Sequence, residues 1–234
     1  MKQYVLLALL AVGMTTNVYG QDADSEENEK KSTDLVLKSG DKGEWTMHFG
    51  VGVNVATNVP SGYDFAPFKS WDFLWTIAQY DYKPGKGKQT FSAGIGLNFR
   101  NYGLRDNNTA FQKSGDVTSL GTFPESAGSR SSRVHTVGIH VPLLFTQEFG
   151  KHFSVTVGPI VNFNVGGWIN NSYEVGDDTV DVSTRKIGQR PVTVELMGVF
   201  DIYGIGLFCK YSPMSVFKDD RGPQFKSITF GLYL

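Results

Sequence analysis

Large apolar residues alternate with small or polar ones, segment after segment, from Trp45 to the end of the chain, and no other feature restricts the fold so strongly. Trp45, Met47, Phe49, Val51, Val53 and Val55 interleave with Thr46, His48, Gly50, Gly52 and Asn54. A period of two gives a segment two unlike faces only when the backbone is an extended strand. The same signature returns at Trp71, Phe73, Trp75 and Ile77, then at Phe91, Ala93, Ile95, Leu97 and Phe99. It returns again at Val137, Ile139, Val141, Leu143 and Phe145, and at Phe153, Val155, Val157, Pro159, Val161 and Phe163. Val192, Val194, Leu196 and Phe200 give a sixth strand, Ile205, Leu207, Cys209 and Tyr211 a seventh, and Ile228, Phe230, Leu232 and Leu234 an eighth.

Which face meets which solvent follows from the residues opposite the apolar ones. A soluble sandwich or barrel points its apolar face inward and covers the other with Lys, Glu and Asp. Here the second face is mostly Gly, Ser, Thr and Asn, which suits a narrow interior, while a broad band of large apolar residues suits lipid. The 27 glycines and 13% aromatic content agree with strands and turns rather than long helices. The expected fold is therefore all-β: an eight-stranded antiparallel up-and-down transmembrane β-barrel with short periplasmic turns and long outer loops.

The connections carry the matching asymmetry. Asp81 to Lys88, Thr146 to Lys151 and Asp201 to Gly204 are short links, whereas Ala56 to Ser70, Asn101 to Arg133, Gly166 to Arg190 and Ser212 to Pro223 are long and rich in Gly, Ser, Asn and Asp. Outer-membrane barrels keep their turns short on the periplasmic side. Aromatics on the apolar face gather at the strand ends, with Trp45, Phe91, Phe145, Phe153 and Phe200 toward the periplasmic side. Trp71, Phe99, Phe163 and Tyr211 lie toward the outer side. The two groups form the pair of girdles expected at the two membrane interfaces.

The N-terminus reads as an export signal. Lys2 supplies the positive start, Tyr4 to Val12 the apolar stretch, and Val18-Tyr19-Gly20 a small-residue cleavage site before Gln21. The apolar stretch is shorter than the roughly 20 residues a spanning helix needs. The segment up to Gly43 is polar and charged and offers almost nothing to bury, so it is expected to be a flexible periplasmic leader. The expected organisation is a signal peptide over 1–20, the leader over 21–43 and the barrel over 44–234, placed in a bacterial outer membrane. Cys209 is the lone cysteine, which excludes an internal disulfide. A net charge of −1 with interspersed signs gives no footprint for nucleic acid.

Once the strands are placed, four segments resemble the PorT-like outer-membrane β-barrel family of Gram-negative bacteria. They are Phe49-Gly50-Val51-Gly52-Val53-Asn54, Val141-Pro142-Leu143-Leu144-Phe145, Lys210-Tyr211-Ser212-Pro213 and the terminal Ser227-Ile228-Thr229-Phe230-Gly231-Leu232-Tyr233-Leu234. The resemblance runs from about Trp45 to the end and implies fold and compartment rather than a role in secretion. The last strand is similar to the signal read by the barrel-assembly machinery, with Leu234 where that signal commonly ends in Phe. It implies that machinery as a partner during biogenesis.

Chemistry is sought first on the inner face, where alternation puts His48, Asp72, Arg100, His140, Glu195 and Lys210. Charges enclosed in a narrow barrel need partners, so a structural polar network is the expectation. With Ile202-Tyr203 as the turn centre between the sixth and seventh strands, Leu196 faces Cys209 and Glu195 lies directly opposite Lys210, giving an ion pair. Acyl transfer by a membrane-embedded lipid-modifying enzyme needs a nucleophile beside its base. His135 has no Ser at the alternating position that would share its face. The acidic pairs Asp177-Asp178 and Asp219-Asp220 lie in outer loops without His, and the four His are scattered, without metal-ligand spacing. Asp178-Thr179-Val180 resembles a short bacterial O-glycosylation acceptor motif. No cofactor is expected and no catalytic constellation is present, so the chain is read as a non-enzymatic scaffold. Its partners are then the outer-membrane bilayer and an extracellular ligand at the long loops. The alternative is a narrow, porin-like or transport-associated pore, but eight strands leave little free lumen.

Overall fold

The computed structural model describes residues 37–38, 43–85 and 87–234. The segment read as a signal peptide, and most of the leader, lie outside the described residues. In chain order the strands are β1 (Leu37–Lys38), β2 (Gly43–Thr57), β3 (Trp71–Tyr82), β4 (Gln89–Gly103), β5 (Thr109–Ser114), β6 (Val117–Thr122), β7 (Arg130–Glu148), β8 (Phe153–Val175), β9 (Asp178–Arg185), β10 (Val192–Ile202), β11 (Ile205–Ser212) and β12 (Lys226–Tyr233). Eight of them, β2, β3, β4, β7, β8, β10, β11 and β12, pair antiparallel with their neighbours, and β12 pairs back onto β2 to close the ring. Closure removes the free edges that an open sheet would present.

Alternation carries through to burial. Phe49, Val51 and Val53 on β2, Val157 on β8, Leu196 on β10, Leu207 on β11 and Phe230 and Leu232 on β12 are exposed on the outside of the ring. Asn54, Asp72, Asn98, Asn162, Glu195, Lys210 and Thr229 are buried within it. An exposed apolar belt this extensive is far beyond the scattered surface apolars of a soluble monomer.

Two β-bulges shift the pattern. The registers of β3 with both β2 and β4 slip around Ile77, so Asp72, Leu74 and Thr76 point inward before it and Gln79 and Asp81 after it. One extra residue reverses the parity, which places Tyr80 and Tyr82 outside as a continuation of the belt. A second slip on β8 at Val165 likewise turns Gly167 and Ile169 inward.

The tight turn between β10 and β11 corrects the expected register. Ile202 pairs with Ile205, so the turn centre is Tyr203-Gly204, with φ of 57° and 82°. A two-residue hairpin of this hand needs positive φ at both central residues. Glycine takes that conformation freely, and a β-branched residue such as Ile202 resists it. Leu196 therefore faces Tyr211, and Met197 faces Lys210, in place of the pairs Leu196–Cys209 and Glu195–Lys210.

The long connections are more ordered than the polar composition implied. β7 and β8 run to 19 and 23 residues, well past the stretches marked by alternation, and β9 folds back along β8. β5 and β6 form a hairpin inside the segment read as one long loop. These pieces converge over the outer end of the ring on a core of Phe65, Tyr102, Leu104, Phe111, Val134, Ile169, Ile187, Val216, Phe217 and Phe225. Backbone bonds knit the cap together: Thr118 N donates to Arg221 O at 2.9 Å, Lys218 N to Gly188 O at 2.9 Å and Arg190 N to Val216 O at 2.8 Å. Arg221 also pairs with Asp116 at the hairpin tip, which holds that carboxyl below the usual carboxylate range.

At the other end, Leu37–Lys38 fall in the stretch expected to be a flexible leader. They form β1 against Glu44 and Trp45. The pairing of β12 with β2 runs only to Gly50, with Leu234 bonded to Phe49, so β1 lies along the part of β2 that β12 does not reach.

Candidate functional site

Four of the six polar residues expected on the inner face come together in one cluster. Asp72 and Arg100 are direct cross-strand partners on β3 and β4. Glu195 reaches in from β10 and Lys210 from β11. Lys210 Nζ lies 2.7 Å from Asp72 Oδ2 and 3.2 Å from Glu195 Oε2, and Arg100 Nη1 lies 2.8 Å from Glu195 Oε1. Glu195 and Lys210 thus meet as diagonal neighbours rather than opposite each other. A slip of two residues keeps both on the same face, and long side chains span the diagonal. Directly across from Glu195 the register leads to Ser212, whose hydroxyl donates to Glu195 Oε1.

Neutral groups complete the cluster. Asn162 Nδ2 donates to Glu195 Oε2 at 2.9 Å, and Arg100 Nε donates to Asn98 Oδ1 at 2.9 Å. Two cations and two carboxylates balance in charge. Each is nearly inaccessible, with Asp72 at 0%, Glu195 and Lys210 at 1% and Arg100 at 4% exposure. Charges this deeply enclosed are tolerable only because each is met by opposite charge and hydrogen bonds. Alternation places Asn98 and Asn162 on the inner face without marking them as partners, since an Asn among many gives no local signal that it will serve a charge; Ser212, expected to open a long connection, is instead the last residue of β11.

The two histidines lie apart from this cluster's ion pairs. His140 shares a 3.0 Å hydrogen bond with Thr76 Oγ1 and sits across from Gly96, where a Cβ would come within 2.6 Å of its ring. His48 lies toward the short-turn end, 3.1 Å from Thr46 Oγ1 and stacked on Tyr233, while Thr46 and Gln79 both donate to Asp81.

Apolar side chains pack on both sides of the charges, alongside inward polar groups such as Thr46, Gln79 and Asp81 toward the short-turn end. The cap core covers the outer side, and Leu74, Ile160, Met197, Val199 and Phe208 form a layer on the short-turn side. This second layer adds large apolar residues to an inner face expected to be mostly Gly, Ser, Thr and Asn. The inner face of a small barrel must be filled by side chains, and large apolar ones fill it where no polar partner is at hand. The chemistry open to such a site is narrow. Ser212 is bonded to a carboxylate rather than to an imidazole base, and apolar clusters lie on both sides of the charges.

The aromatic residues expected at the strand ends fall at two levels along the outer surface. Trp45, Phe91, Phe145, Phe153 and Phe200 lie near the short-turn end of five of the eight ring strands, with Trp45 against Tyr80 at 5.3 Å and Phe91 against Phe145 at 5.2 Å between ring centroids. Trp71, Phe99, Phe163 and Tyr211 lie higher, with Phe73 tilted against Phe99 at 6.3 Å between ring centroids. On β8 the two levels, Phe153 and Phe163, are about ten residues apart, close to what a tilted strand needs to cross a bilayer. The wall continues beyond the upper level into the cap.

No protein-family model and no curated protein sequence matches the chain. Among solved structures it is similar to Ail, the attachment invasion locus protein of Yersinia pestis, at 11% identity. It is also similar to the same protein in complex with the heparin analogue sucrose octasulfate, at 9%. Each alignment covers 82% of this chain and 99% of that one, with a TM-score of 0.33.

Proposed function

We propose that the chain is an integral protein of a bacterial outer membrane, closed along its axis, acting as a non-enzymatic scaffold whose capped outer end presents a recognition surface. The exposed apolar belt between two aromatic levels supports the membrane setting, because water would penalise such a surface heavily. The short turns at the end nearest β1 and the C-terminus, with long connections at the other, support the orientation. The resemblance of the strand motifs to the PorT-like family belongs with this reading, as does delivery by the barrel-assembly machinery. It concerns scaffold and compartment, without a secretion role. An extracellular ligand would then meet the cap and its hairpins, where a rigid frame holds the connecting segments.

The observation that carries the scaffold reading is the filled lumen. A neutral four-charge cluster sits between an apolar layer and an apolar cap. Ions crossing it would have to displace paired charges and then traverse apolar packing on either side. Two measurements test this. Fractionation should recover the protein with outer membranes and release it only with detergent; recovery from the soluble periplasm without detergent contradicts the membrane reading. Purified protein in planar bilayers should show no unitary conductance, and a steady single-channel current would replace the scaffold with a pore.

A further inference from the structure

Where β9 ends and the chain crosses to β10, the outer wall of the ring opens into a cleft of about 400 Å³ lined by Val165, Trp168, Ser183, Arg185, Lys186 and Gln189. Its floor exists because of the bulge on β8, which thrusts Val165 outward to 65% exposure. Cross-strand pairing fixes what shares this face. His135 of β7 pairs with Trp168 of β8, which pairs with Arg185 of β9; one step outward, Arg133 pairs with Asn170 and Asn170 with Ser183. Directly paired residues project to the same side of a sheet, so Arg133, Arg185, Trp168 and His135 all lie on the exterior. The His135 ring stacks on Trp168 at 5.2 Å and 15°.

Two properties of this face coincide. Toward the belt it is apolar, with Phe163 and Val192 exposed side by side just inward of Val165. Toward the cap it is cationic, and Arg133, Arg185 and Lys186 take part in none of the ion pairs among the described residues, whereas Arg105, Arg190 and Arg221 are each paired. The nearest acidic groups on the same face of β8 and β9, Asp181 and Glu174, lie further toward the hairpin tip. A Trp at the boundary between an apolar band and a polar rim is also the residue suited to an interface.

We propose that this cleft seats a phosphorylated lipid of the outer leaflet, its phosphate held by Arg185 and Lys186 with Arg133 at the flank. Its acyl chain would descend over Val165 and Phe163. Arg offers a forked donor that matches phosphate oxygens, and the adjacent Lys adds a point charge. The inference rests on the membrane-barrel reading above, since only that reading puts lipid against this wall.

The test uses the full chain refolded in detergent and titrated, with native mass spectrometry as readout, against diphosphoryl lipid A and against its fully dephosphorylated counterpart. The wild type should retain the phosphorylated lipid roughly tenfold better, the scale of a charge-assisted hydrogen bond. Arg185→Ala with Lys186→Ala should abolish that preference while heat-modifiability on gels is unchanged, and Arg185→Lys should keep most of it. A double variant that prefers the phosphorylated lipid as strongly as the wild type overturns the site, as does a wild type with no preference. A chain that acquires no heat-modifiable form in detergent fails earlier and counts against the barrel reading itself.

Discussion

Lys210 is the residue on which the lumenal cluster turns, because its ammonium lies 2.7 Å from Asp72 and 3.2 Å from Glu195, whereas Arg100 is 2.8 Å from Glu195 but 4.0 Å from Asp72. Replacing it with Met leaves Asp72 and Glu195 facing each other with a single cation between them. Breaking a buried pair in this way costs about 3–5 kcal/mol, less where lumen water reaches the site. Adding Glu195→Gln removes one of the stranded charges, so the double variant should be more stable than Lys210→Met alone. Urea unfolding in detergent, run as a double-mutant cycle, measures the coupling. Additive effects would mean that the 3.2 Å contact contributes nothing. Asp72 makes the cluster a triad of interactions rather than an isolated pair, so Asp72→Asn in the Lys210→Met background should recover stability in the same sense.

At the level of single strands, the two faces of β8 make opposite predictions a residue apart. Val157 is 49% exposed on the belt, between the two aromatic levels, whereas Thr156 faces inward and shares a 2.7 Å hydrogen bond with Thr146. Val157→Arg should impair assembly, since a cation facing lipid at mid-membrane depth costs about 2–4 kcal/mol. Thr156→Ser keeps the hydroxyl and should be mild. Heat-modifiability on gels separates the two: equal behaviour of wild type and Val157→Arg would place Val157 away from lipid. The bulges at Ile77 and Val165 act on this same scale, because each lets one strand serve the belt with one parity and the interior with the other.

For the molecule as a whole, barrel and cap are held by different means. The ring is closed by backbone ladders, and the cap by an apolar core to which every long connection contributes: Phe65 from the β2–β3 link, Phe111 from β5, Ile187 from the β9–β10 crossing and Phe217 and Phe225 from the β11–β12 link. Phe217 is fully buried there, packed against Phe225 with ring centroids 6.4 Å apart. Phe217→Ala should cost the cap about 3–5 kcal/mol of packing. The expected outcome is protease cutting within 104–129 and 176–191 while the ring remains heat-modifiable. Loss of the folded ring together with the cap would show that the two form one cooperative unit.

Strand identity, strand number and inner-versus-outer sidedness were legible in the sequence, because a two-residue period is a local property and lipid and lumen demand opposite chemistries. That is why Asp72, Arg100, Glu195 and Lys210 could be assigned to one face without any knowledge of which would meet. Distances around the ring were not legible. The Glu195–Lys210 contact survived a register wrong by two residues only because parity was kept, and the choice of Tyr203-Gly204 over Ile202-Tyr203 depended on which residues tolerate positive φ. Composition hid the cap: its apolar residues stand singly or in pairs within otherwise polar connections, and they form a core only when four separate connections are brought over one opening. The inner apolar layer was hidden for the same reason, since Leu74, Ile160, Met197, Val199 and Phe208 sit on four different strands and become neighbours only when the ring closes. Local periodicity decided what each strand is; closure of the ring, which joins residues far apart in sequence, decided what its side chains touch.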